Sequence, residues 1–505
     1  MNAYIGPLAP GEQARSLAEA SSLTTNIQIL KDFLDKRPLR ALLSFLTKRC
    51  RRDGGSFLEN ALEIISGVRD HACFICSHVA TPLVRWALSV SARQLEVTDE
   101  QLVDTLRQAH WRRGIASVLK GIAKFGVKRP FTPGAPILVV WNFTWACNLR
   151  CKHCYASAGP RPRPNELTTA EALRTVRKLA DAGVTIIAFS GGEPLMRKDI
   201  FKVLEVVKDY GVYTALATNG TLITKEVAKR LRELELYYVE ISIDGADPGT
   251  HDAFRGVPGA FEAAIRGVKN CVAEGIWTQV AMTLTRLNVS ELPAMIRLCE
   301  ELGVMGLTCF NFVPTGRGLF IKENDLSPRE REEALKLMAR EALRNKKIQV
   351  VSTAPQYARV ALQLEAAMRS GEELMIPLHF WNPKLSKEIA SLTEFIGGCG
   401  AGRFYCALDP DGTITPCVFM PLKVGDIKEV PDFEDFWASC RVFWDLRDRD
   451  NLKPHCGECE YRFVCGGCRA RAYGYFGDYL APDPGCVYNE AAWRTLTEGR
   501  LVEIA

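Results

Sequence analysis

The chain has 505 residues, of which 47% are hydrophobic and 24% are charged, a globular composition that excludes a disordered or fibrous protein. Its length predicts about two to four domains. Residues 1–13 lack the basic-then-apolar layout of a signal peptide, and no apolar run reaches the roughly 18 residues that span a bilayer. We therefore expect a cytoplasmic protein whose 18 cysteines are reduced, with many of them binding metal.

Positive charge is concentrated near the amino terminus. Residues 1–135 contain 19 basic and 12 acidic side chains, a charge of +7 within a chain whose total is +5. Residues 107–129 hold seven basic side chains and no acidic one, with apolar residues between them. Two interpretations stay open: a helix packed on the rest of the protein with its basic face in water, or peripheral contact with an anionic membrane at the inner membrane face.

Residues 1–135 are predicted to form a helical region, a possible membrane or substrate interface. Thr98-Asp-Glu-Gln101 has the pattern of a capping box, and it is predicted to open one helix that continues to Phe125. The Pro- and Gly-rich stretch 129–136 marks a domain boundary.

Strands and helices alternate beyond this boundary. The predicted strands are Ile137–Phe143, Val184–Ser190, Val212–Thr218, Tyr237–Ile243, Thr278–Leu284 and Gly306–Val313. This alternation predicts an α/β fold, a partial (β/α)6 TIM-like barrel over 136–325, with its active site at the carboxyl ends of the strands.

Three further regions follow the barrel. Residues 326–396 are predicted to be a helical cover or linker, 397–490 a cysteine-rich iron–sulfur domain, and 491–505 a C-terminal tail.

Cys147, Cys151 and Cys154 follow the first predicted strand with spacings of x3 and x2. One loop can bring three such thiolates to three irons of a 4Fe–4S cluster, which leaves the fourth iron open. Unrelated buried thiols or a zinc loop are the alternatives, although zinc normally requires a fourth local ligand.

This Cys-x3-Cys-x2-Cys loop resembles the signature of the radical SAM superfamily. The resemblance implies that the open iron binds S-adenosylmethionine (SAM), and that one electron cleaves SAM to a 5′-deoxyadenosyl radical. On the same basis Cys147, Cys151 and Cys154 are the predicted catalytic cluster ligands.

Motifs at the other strand ends support the resemblance. Ser190-Gly-Gly-Glu-Pro194 is similar to the GGE motif of the family, which implies that Gly191 and Gly192 allow close backbone approach while Glu193 holds the methionine ammonium. The resemblance further implies that Ser242 contacts the cofactor and that Arg255 pairs with its carboxylate. The remaining residues predicted to bind the cofactor are Asn219 and Tyr155, the latter being either an adenine contact or a core aromatic.

Eight cysteines lie between residues 399 and 486, and their layout resembles the SPASM extension, which binds two auxiliary 4Fe–4S clusters. The resemblance implies one cluster on Cys399, Cys406, Cys417 and Cys468, and another on Cys456, Cys459, Cys465 and Cys486. The last spacing, Cys465-x2-Cys468, departs from the x3 of the family, and a pair of zinc ribbons is the alternative.

Seven cysteines stand outside these motifs: Cys50, Cys73, Cys76, Cys271, Cys299, Cys309 and Cys440. Most are predicted to be core thiols. Cys73-x2-Cys76, with His71 and His78 nearby, has the pattern of half a metal site, but no second half is visible in the sequence.

The resemblance implies a C–H activating oxidoreductase with three 4Fe–4S clusters and SAM. Its auxiliary clusters would relay an electron, and a donor such as ferredoxin or flavodoxin would reduce it. The expected substrate is large or apolar: lipid-like, a peptide or a tetrapyrrole. The alternatives are a non-catalytic iron–sulfur carrier or scaffold and a zinc-dependent nucleic-acid-binding protein; no nucleic acid is expected in the main interpretation.

Overall fold

The computed structural model describes residues 35–94, 98–368 and 397–497. Parts of the predicted N-terminal region, helical cover and C-terminal tail therefore lie outside the described residues. Among the described helices, none combines the length and the apolar character that crossing a bilayer requires.

One sheet organises the described chain. Its strands are β1 (Leu138–Thr144), β2 (Ile186–Gly191), β3 (Tyr213–Thr218), β4 (Tyr238–Ser242), β5 (Trp277–Leu284), β6 (Gly306–Asn311), β7 (Gln349–Ser352), β8 (Tyr405–Leu408), β9 (Thr413–Thr415) and β10 (Gly425–Asp426). Their order is β10-β9-β8-β1-β2-β3-β4-β5-β6-β7. All pairings from β8 to β7 are parallel, whereas β9 and β10 pair antiparallel. Within the described ranges the sheet has two edges, at β10 and β7, and does not close into a barrel.

The helices are α1 (Arg37–Leu46), α2 (Phe57–Ile65), α3 (Thr81–Gln94), α4 (Asp99–Arg107), α5 (Ala109–Phe125), α6 (Thr169–Asp181), α7 (Ile200–Asp209), α8 (Lys225–Glu233), α9 (Pro248–Arg255), α10 (Ala260–Ala273), α11 (Leu292–Leu302), α12 (Pro328–Arg344), α13 (Gln356–Met368), α14 (Phe433–Ser439), α15 (Arg441–Arg447), α16 (Arg469–Phe476) and α17 (Glu490–Thr497). A short π-helical turn, Cys76–Ala80, precedes α3.

The α/β fold predicted from the sequence is confirmed, because each of the six predicted strands is present within a few residues of its expected bounds. Two predictions were wrong in detail. The helix expected from Thr98 to Phe125 is interrupted at Gln108, whose backbone is extended, although the capping box at Thr98 is present. The region predicted to be helical after residue 326 contains β7, which extends the sheet beyond β6.

The main core lies between one face of the sheet and the helices that cross over it. Val239 and Ile241 of β4 point into this core, whereas Tyr238 and, by strand alternation, Glu240 point to the opposite face. The carboxyl ends of the parallel strands meet at one rim of the sheet, and that rim carries the candidate site.

The N-terminal helices have a small core of their own, and α5 attaches them to the rest of the protein. Arg113 donates to the carbonyl oxygens of Val184 and Ala180 beneath the sheet. Lys120 lies 2.7 Å from Glu434 of α14, and Phe125 packs edge-on against Trp444.

These contacts bear on the two interpretations of residues 107–129. Arg112 is buried and donates to two backbone carbonyls, Lys124 shares Glu434, and Lys128 lies over Trp444. These contacts favour a helix packed on the rest of the protein, with the side chains of Lys124 and Lys128 still exposed to water. The prediction of membrane contact through 107–129 therefore has no support in the structure.

Candidate active site

The loop after β1 gathers the first three predicted cysteines. Cys147 and Cys151 are buried and Cys154 is half-buried, and all three pack together with Leu149 and Ala158. The loop is thus a compact turn of chain in which the three cysteines belong to one packed group.

Backbone hydrogen bonds clamp this loop to its neighbours. The N–H of Arg150 donates to the carbonyl of Arg255, and that of Lys152 donates to Phe254, at 3.0 and 2.9 Å. From the other side, the N–H and the Nε of Arg317 donate to the carbonyls of Cys154 and Cys151, both at 2.9 Å. The loop is therefore held by the end of α9 and by the segment after β6.

Gly316 allows the segment after β6 to approach the cysteine loop closely enough for the Arg317 hydrogen bonds to form. Its φ is +56°, and a Cβ atom there would lie 2.3 Å from the carbonyl oxygen of Tyr155. The Gly-rich stretch after β6 thus packs directly against the cysteine loop.

Polar hydrogens point at the sulfurs. The N–H of Leu149 lies 3.4 Å from Cys147 Sγ, Asn219 Nδ2 lies 3.8 Å from the same sulfur, and Arg255 Nη1 lies 3.6 Å from Cys151 Sγ. Burial raises the pKa of Cys147 to about 12, so this thiol needs a bound metal to be a thiolate at neutral pH. Donors aimed at sulfur fit a metal-bound thiolate.

Gly191 and Gly192 bring the end of β2 against the end of β1. A Cβ atom on Gly192 would lie 2.1 Å from the carbonyl oxygen of Ala146, and one on Gly191, where φ is +117°, would lie 2.7 Å from that of Thr144. Because Ala146 directly precedes Cys147, this close approach positions the cysteine loop.

Glu193 is fully buried at the same rim. Its carboxylate accepts hydrogen bonds from Thr218 Oγ1 at 2.8 and 2.9 Å, from the N–H of Asn219 at 2.9 Å and from the N–H of Leu195 at 3.1 Å. Burial nevertheless raises the pKa of Glu193 above its ordinary value. The acid therefore joins the ends of β2 and β3 and would be stabilised by a cation; its contact with the methionine ammonium stays a prediction.

Arg255 has an ion-pair partner that the sequence analysis did not name. Asp244, fully buried after β4, places Oδ2 2.6 Å from Arg255 Nε and 3.6 Å from His153 Nε2. Burial favours the neutral acid, but the guanidinium holds the pKa of Asp244 below its ordinary value. Ser242 lies half-buried two residues earlier, at the carboxyl end of β4. The predicted contacts of Ser242 and Arg255 with the cofactor stay predictions.

His153 lies within the cysteine loop but its ring stacks on Phe254, with 4.4 Å between ring centroids. Burial lowers the pKa of His153 to about 4, so the imidazole is neutral at physiological pH.

Tyr155 belongs to a polar chain at the mouth of the site. Its hydroxyl donates to Asn142 Oδ1 and lies 2.9 Å from Ser190 Oγ, while Asn142 Nδ2 donates to Asp409 Oδ1. The Tyr155 ring packs edge-on against Phe419. The chain joins β1, β2 and the end of β8, so Tyr155 bridges the barrel and the cysteine-rich region.

Three cysteines of the first predicted auxiliary set come together. Cys399, Cys417 and Cys468 share one cluster of packed side chains with Tyr405, whose hydroxyl donates to Cys417 Sγ at 3.0 Å. Nothing in the sequence motif indicated Tyr405.

Cys406 does not join them. It lies on β8 next to Tyr405, and because successive strand residues point to opposite faces, its side chain enters the main core, where it is fully buried. Its inclusion among the predicted ligands was therefore wrong, and Cys406 is a core thiol in the structure.

The second predicted set lines a single pocket. Its four members are Cys456, Cys459, Cys465 and Cys486. Gly467, with a φ of +65°, allows the backbone to pass close to Cys456, because a Cβ atom at residue 467 would lie 2.9 Å from Cys456 Sγ.

Buried guanidinium groups surround both cysteine sets. Arg469 Nη2 lies 3.6 Å from Cys456 Sγ. Arg449 is fully buried, donates to the carbonyl of Cys399, and leaves Nε and Nη1 without a hydrogen-bond partner among the described residues. Buried cations with spare donors require negative charge nearby, which thiolate-bound iron–sulfur clusters would supply.

An open parallel sheet with a three-cysteine loop at its carboxyl rim, followed by a cysteine-rich domain, defines an iron–sulfur enzyme of the SAM-cleaving class. Residues 141–299 match the family model of the radical SAM superfamily, and residues 399–460 match that of the SPASM iron–sulfur cluster-binding domain. The chain belongs to the radical SAM superfamily and carries a SPASM domain.

Similar proteins support this assignment. The chain is 38% identical to the AdoMet-dependent heme synthase of Methanosarcina barkeri over 70% of this chain and 97% of that protein. It is 30% identical to the mycofactocin maturase MftC of Mycobacterium tuberculosis over 70% and 83% of the two chains. The crystal structure of Streptococcus suis SuiB bound to S-adenosylmethionine shares the fold, with a TM-score of 0.60 and 18% identity over 85% of this chain and 92% of that one.

Proposed function

We propose that the protein cleaves SAM reductively and uses the resulting radical to abstract hydrogen from a C–H bond of a tetrapyrrole. The observation that carries the first half is the loop in which Cys147, Cys151 and Cys154 lie together, with N–H donors directed at their sulfurs. Three sulfur ligands for four irons leave one iron for the cofactor.

We assign the first cluster to Cys147, Cys151 and Cys154. With a 4Fe–4S cluster bound, the chemistry supplied is one-electron cleavage of SAM to a 5′-deoxyadenosyl radical. The chain itself positions that chemistry, because the hydrogen bonds from Arg317 and to the end of α9 hold the cysteine loop in place.

The rim residues are assigned to the methionine end of SAM. Burial raises the pKa of Glu193, which shows that its negative charge is not fully compensated within the chain. The positive charge of the methionine ammonium would compensate it. Arg255, oriented by Asp244, offers its guanidinium to the carboxylate. The rest of the cofactor would contact residues at three neighbouring strand ends: Gly191, Asn219 and Ser242. Tyr155, which is hydrogen-bonded to the ends of β1 and β2, would lie next to the cofactor.

We assign two auxiliary clusters to the SPASM domain, one near Cys399, Cys417 and Cys468 and the other in the pocket of the second set. Protein ligands occupy most or all of their iron sites, so these clusters would accept an electron from the product radical or pass one onward. Three clusters correspond to about 12 irons per chain, and a small reducing protein such as ferredoxin or flavodoxin would supply electrons.

The substrate class rests on the relatives. The similar protein named for haem synthesis matches at 38% identity over nearly its whole length, whereas the mycofactocin maturase matches at 30% over less of its length. Haem is a tetrapyrrole, and we therefore favour a tetrapyrrole over a peptide or a lipid-like substrate. The reaction is accordingly that of a C–H activating oxidoreductase.

Deuterium transfer tests the substrate class. Reduced, iron-loaded protein is incubated without oxygen with SAM and Fe-coproporphyrin III deuterated in its side chains. We expect 5′-deoxyadenosine that carries one added deuterium, together with a tetrapyrrole altered in mass. Unlabelled 5′-deoxyadenosine with unchanged tetrapyrrole would refute the tetrapyrrole assignment while leaving SAM cleavage intact. In that case a deuterated peptide is the next substrate to compare.

A further inference from the structure

A second group of cysteines lies far from the SAM site in the sequence, within the N-terminal helices. Cys50 follows α1, and Cys73 and Cys76 lie just before α3. Asp53 joins them from the turn between α1 and α2, where Gly54 and Gly55 have φ values of +70° and +58°. One ligand atom from each of these four residues lies within 4.8 Å of all the others.

The distances fit ligands of one ion. Cys50 Sγ lies 3.7 Å from Cys73 Sγ, Cys73 Sγ lies 3.5 Å from Cys76 Sγ, and Asp53 Oδ2 lies 3.2 Å from Cys50 Sγ. Two sulfurs bound at about 2.3 Å to a tetrahedral Zn²⁺ lie about 3.8 Å apart. In a 4Fe–4S cluster each cysteine binds a different iron, so its sulfurs are spread more widely than these. The spacing therefore favours a single metal ion over another cluster.

Neighbouring groups orient two of the four ligands, Cys76 and Asp53. Asn60, which is 2% exposed, donates from Nδ2 to Cys76 Sγ at 3.5 Å and to the carbonyl of Gly54 at 2.9 Å. The N–H of Cys73 donates to Asp53 Oδ2 at 3.0 Å. Hydrogen bonds of this kind fix the ligands of structural metal sites.

The histidines that the sequence places near Cys73-x2-Cys76 are not part of the group. His71 and His78 are exposed, and the His78 ring stacks on Phe74. The second half of the site is instead Cys50-x2-Asp53, which a search for paired cysteines or histidines does not find because one member is a carboxylate.

We propose that Cys50, Asp53, Cys73 and Cys76 bind one structural Zn²⁺. Three thiolates and one carboxylate in tetrahedral proximity are ligands that zinc accepts, and all four positions are supplied by the protein, so no position is left for catalysis. The ion would join the turn after α1 to the segment before α3, and so hold together helices that otherwise share only a small core. This proposal is independent of the function proposed above.

Metal analysis of the full-length protein tests it. We expect about one zinc per chain in addition to iron. Cys73→Ser and Asp53→Asn should lose most of this zinc while keeping the iron content and the formation of 5′-deoxyadenosine. Cys271→Ala, a buried thiol outside every cysteine group, should keep both metals.

Cobalt substitution provides a readout that does not depend on the variants folding well. Protein with its iron clusters assembled, stripped of zinc and given Co²⁺, should show thiolate-to-cobalt charge-transfer and tetrahedral d–d absorption bands that one equivalent of Zn²⁺ abolishes. The absence of both zinc and these bands in the wild-type protein would overturn the proposal. Retention of zinc in Cys73→Ser, or iron bound at this site in place of zinc, would overturn it as well.

Discussion

Replacing Gly192 with alanine would place a Cβ atom 2.1 Å from the carbonyl oxygen of Ala146 and 2.7 Å from its carbonyl carbon. An ordinary van der Waals contact begins near 3.4 Å, so the segments around Gly192 and Ala146 must separate by about 1.3 Å. Both neighbours are backbone atoms, and the N–H of Glu193 is hydrogen-bonded to the same oxygen at 2.7 Å. The strain therefore passes into Ala146 and the cysteine that follows it.

Overpacking of this kind costs about 1–3 kcal/mol of folding free energy, which a protein of this size tolerates. Its effect on activity should be larger, because a misplacement of about 1 Å at a reacting centre can lower a rate by about 10²-fold. We expect Gly192→Ala to fold, to retain the auxiliary clusters, to hold less iron in the barrel, and to form 5′-deoxyadenosine about 10²-fold more slowly.

The assay compares iron content and 5′-deoxyadenosine formation in the wild-type protein, Gly192→Ala and Gly159→Ala. Gly159 lies in the same cysteine loop and has no positive φ, and a Cβ atom added to it would meet no other part of the described chain within 4 Å. Its alanine variant should therefore behave as the wild type. Wild-type iron content and rate in Gly192→Ala would refute the argument that this glycine positions the cysteine loop.

Three further predictions concern other parts of the chain. Cys417→Ala should lose up to about four irons per chain, whereas Cys406→Ala should keep them all, as measured by iron analysis after anaerobic purification. Arg317→Met should leave buried loop carbonyls without donors, at about 1–3 kcal/mol each, and should lower both iron in the barrel and SAM cleavage. His110→Phe should raise the thermal unfolding temperature at pH 5 relative to the wild type, with little change at pH 7.5.

The His110 prediction follows from the sign of its pKa shift. Burial against Tyr213 lowers the pKa of His110 from 6.5 to about 4, so between these values the unfolded chain binds a proton that the folded chain does not. Stability is therefore lost as the pH falls from about 6.5 towards 4, by up to about 2 kcal/mol at pH 5 for this residue. An equal fall in unfolding temperature for the wild type and His110→Phe would contradict this.

Controls separate the other two predictions from general damage. Arg286→Met removes an exposed ion pair with Glu330 and should change neither iron nor activity. If Cys406→Ala lost as much iron as Cys417→Ala, the placement of Cys406 in the core would be wrong. If Arg317→Met matched the wild type, the segment after β6 would not be needed to hold the cysteine loop.

The barrel could be predicted because its strands are apolar runs that end in motifs of Gly, Asn or Asp. The predicted rim residues Gly191, Asn219 and Ser242 lie where their strands end, since parallel strands bring their carboxyl ends to one edge. By contrast, β7 and β8 have only four residues each and little pattern of their own. They form because β6 and β1 offer edges with which they can pair.

The errors within the site have the same origin. Whether Cys406 or Tyr405 faces the other cysteines depends on the side-chain alternation of β8, and a one-residue change of register exchanges the two. Asp244 could not be identified as the partner of Arg255 because nothing in the sequence shows that the turn after β4 folds back on α9. Asp53 was not predicted to be a metal ligand because a single aspartate is common in turns.

The formation of 5′-deoxyadenosine by the reduced, iron-loaded protein tests the assigned chemistry most directly. Given SAM and a one-electron reductant without oxygen, the wild-type protein and Cys271→Ala should both produce it. Cys151→Ala, lacking a cluster in the barrel but keeping the auxiliary iron, should produce none. No 5′-deoxyadenosine from wild-type protein with its full iron content, or an equal amount from Cys151→Ala, would contradict the assignment of the chemistry to this loop.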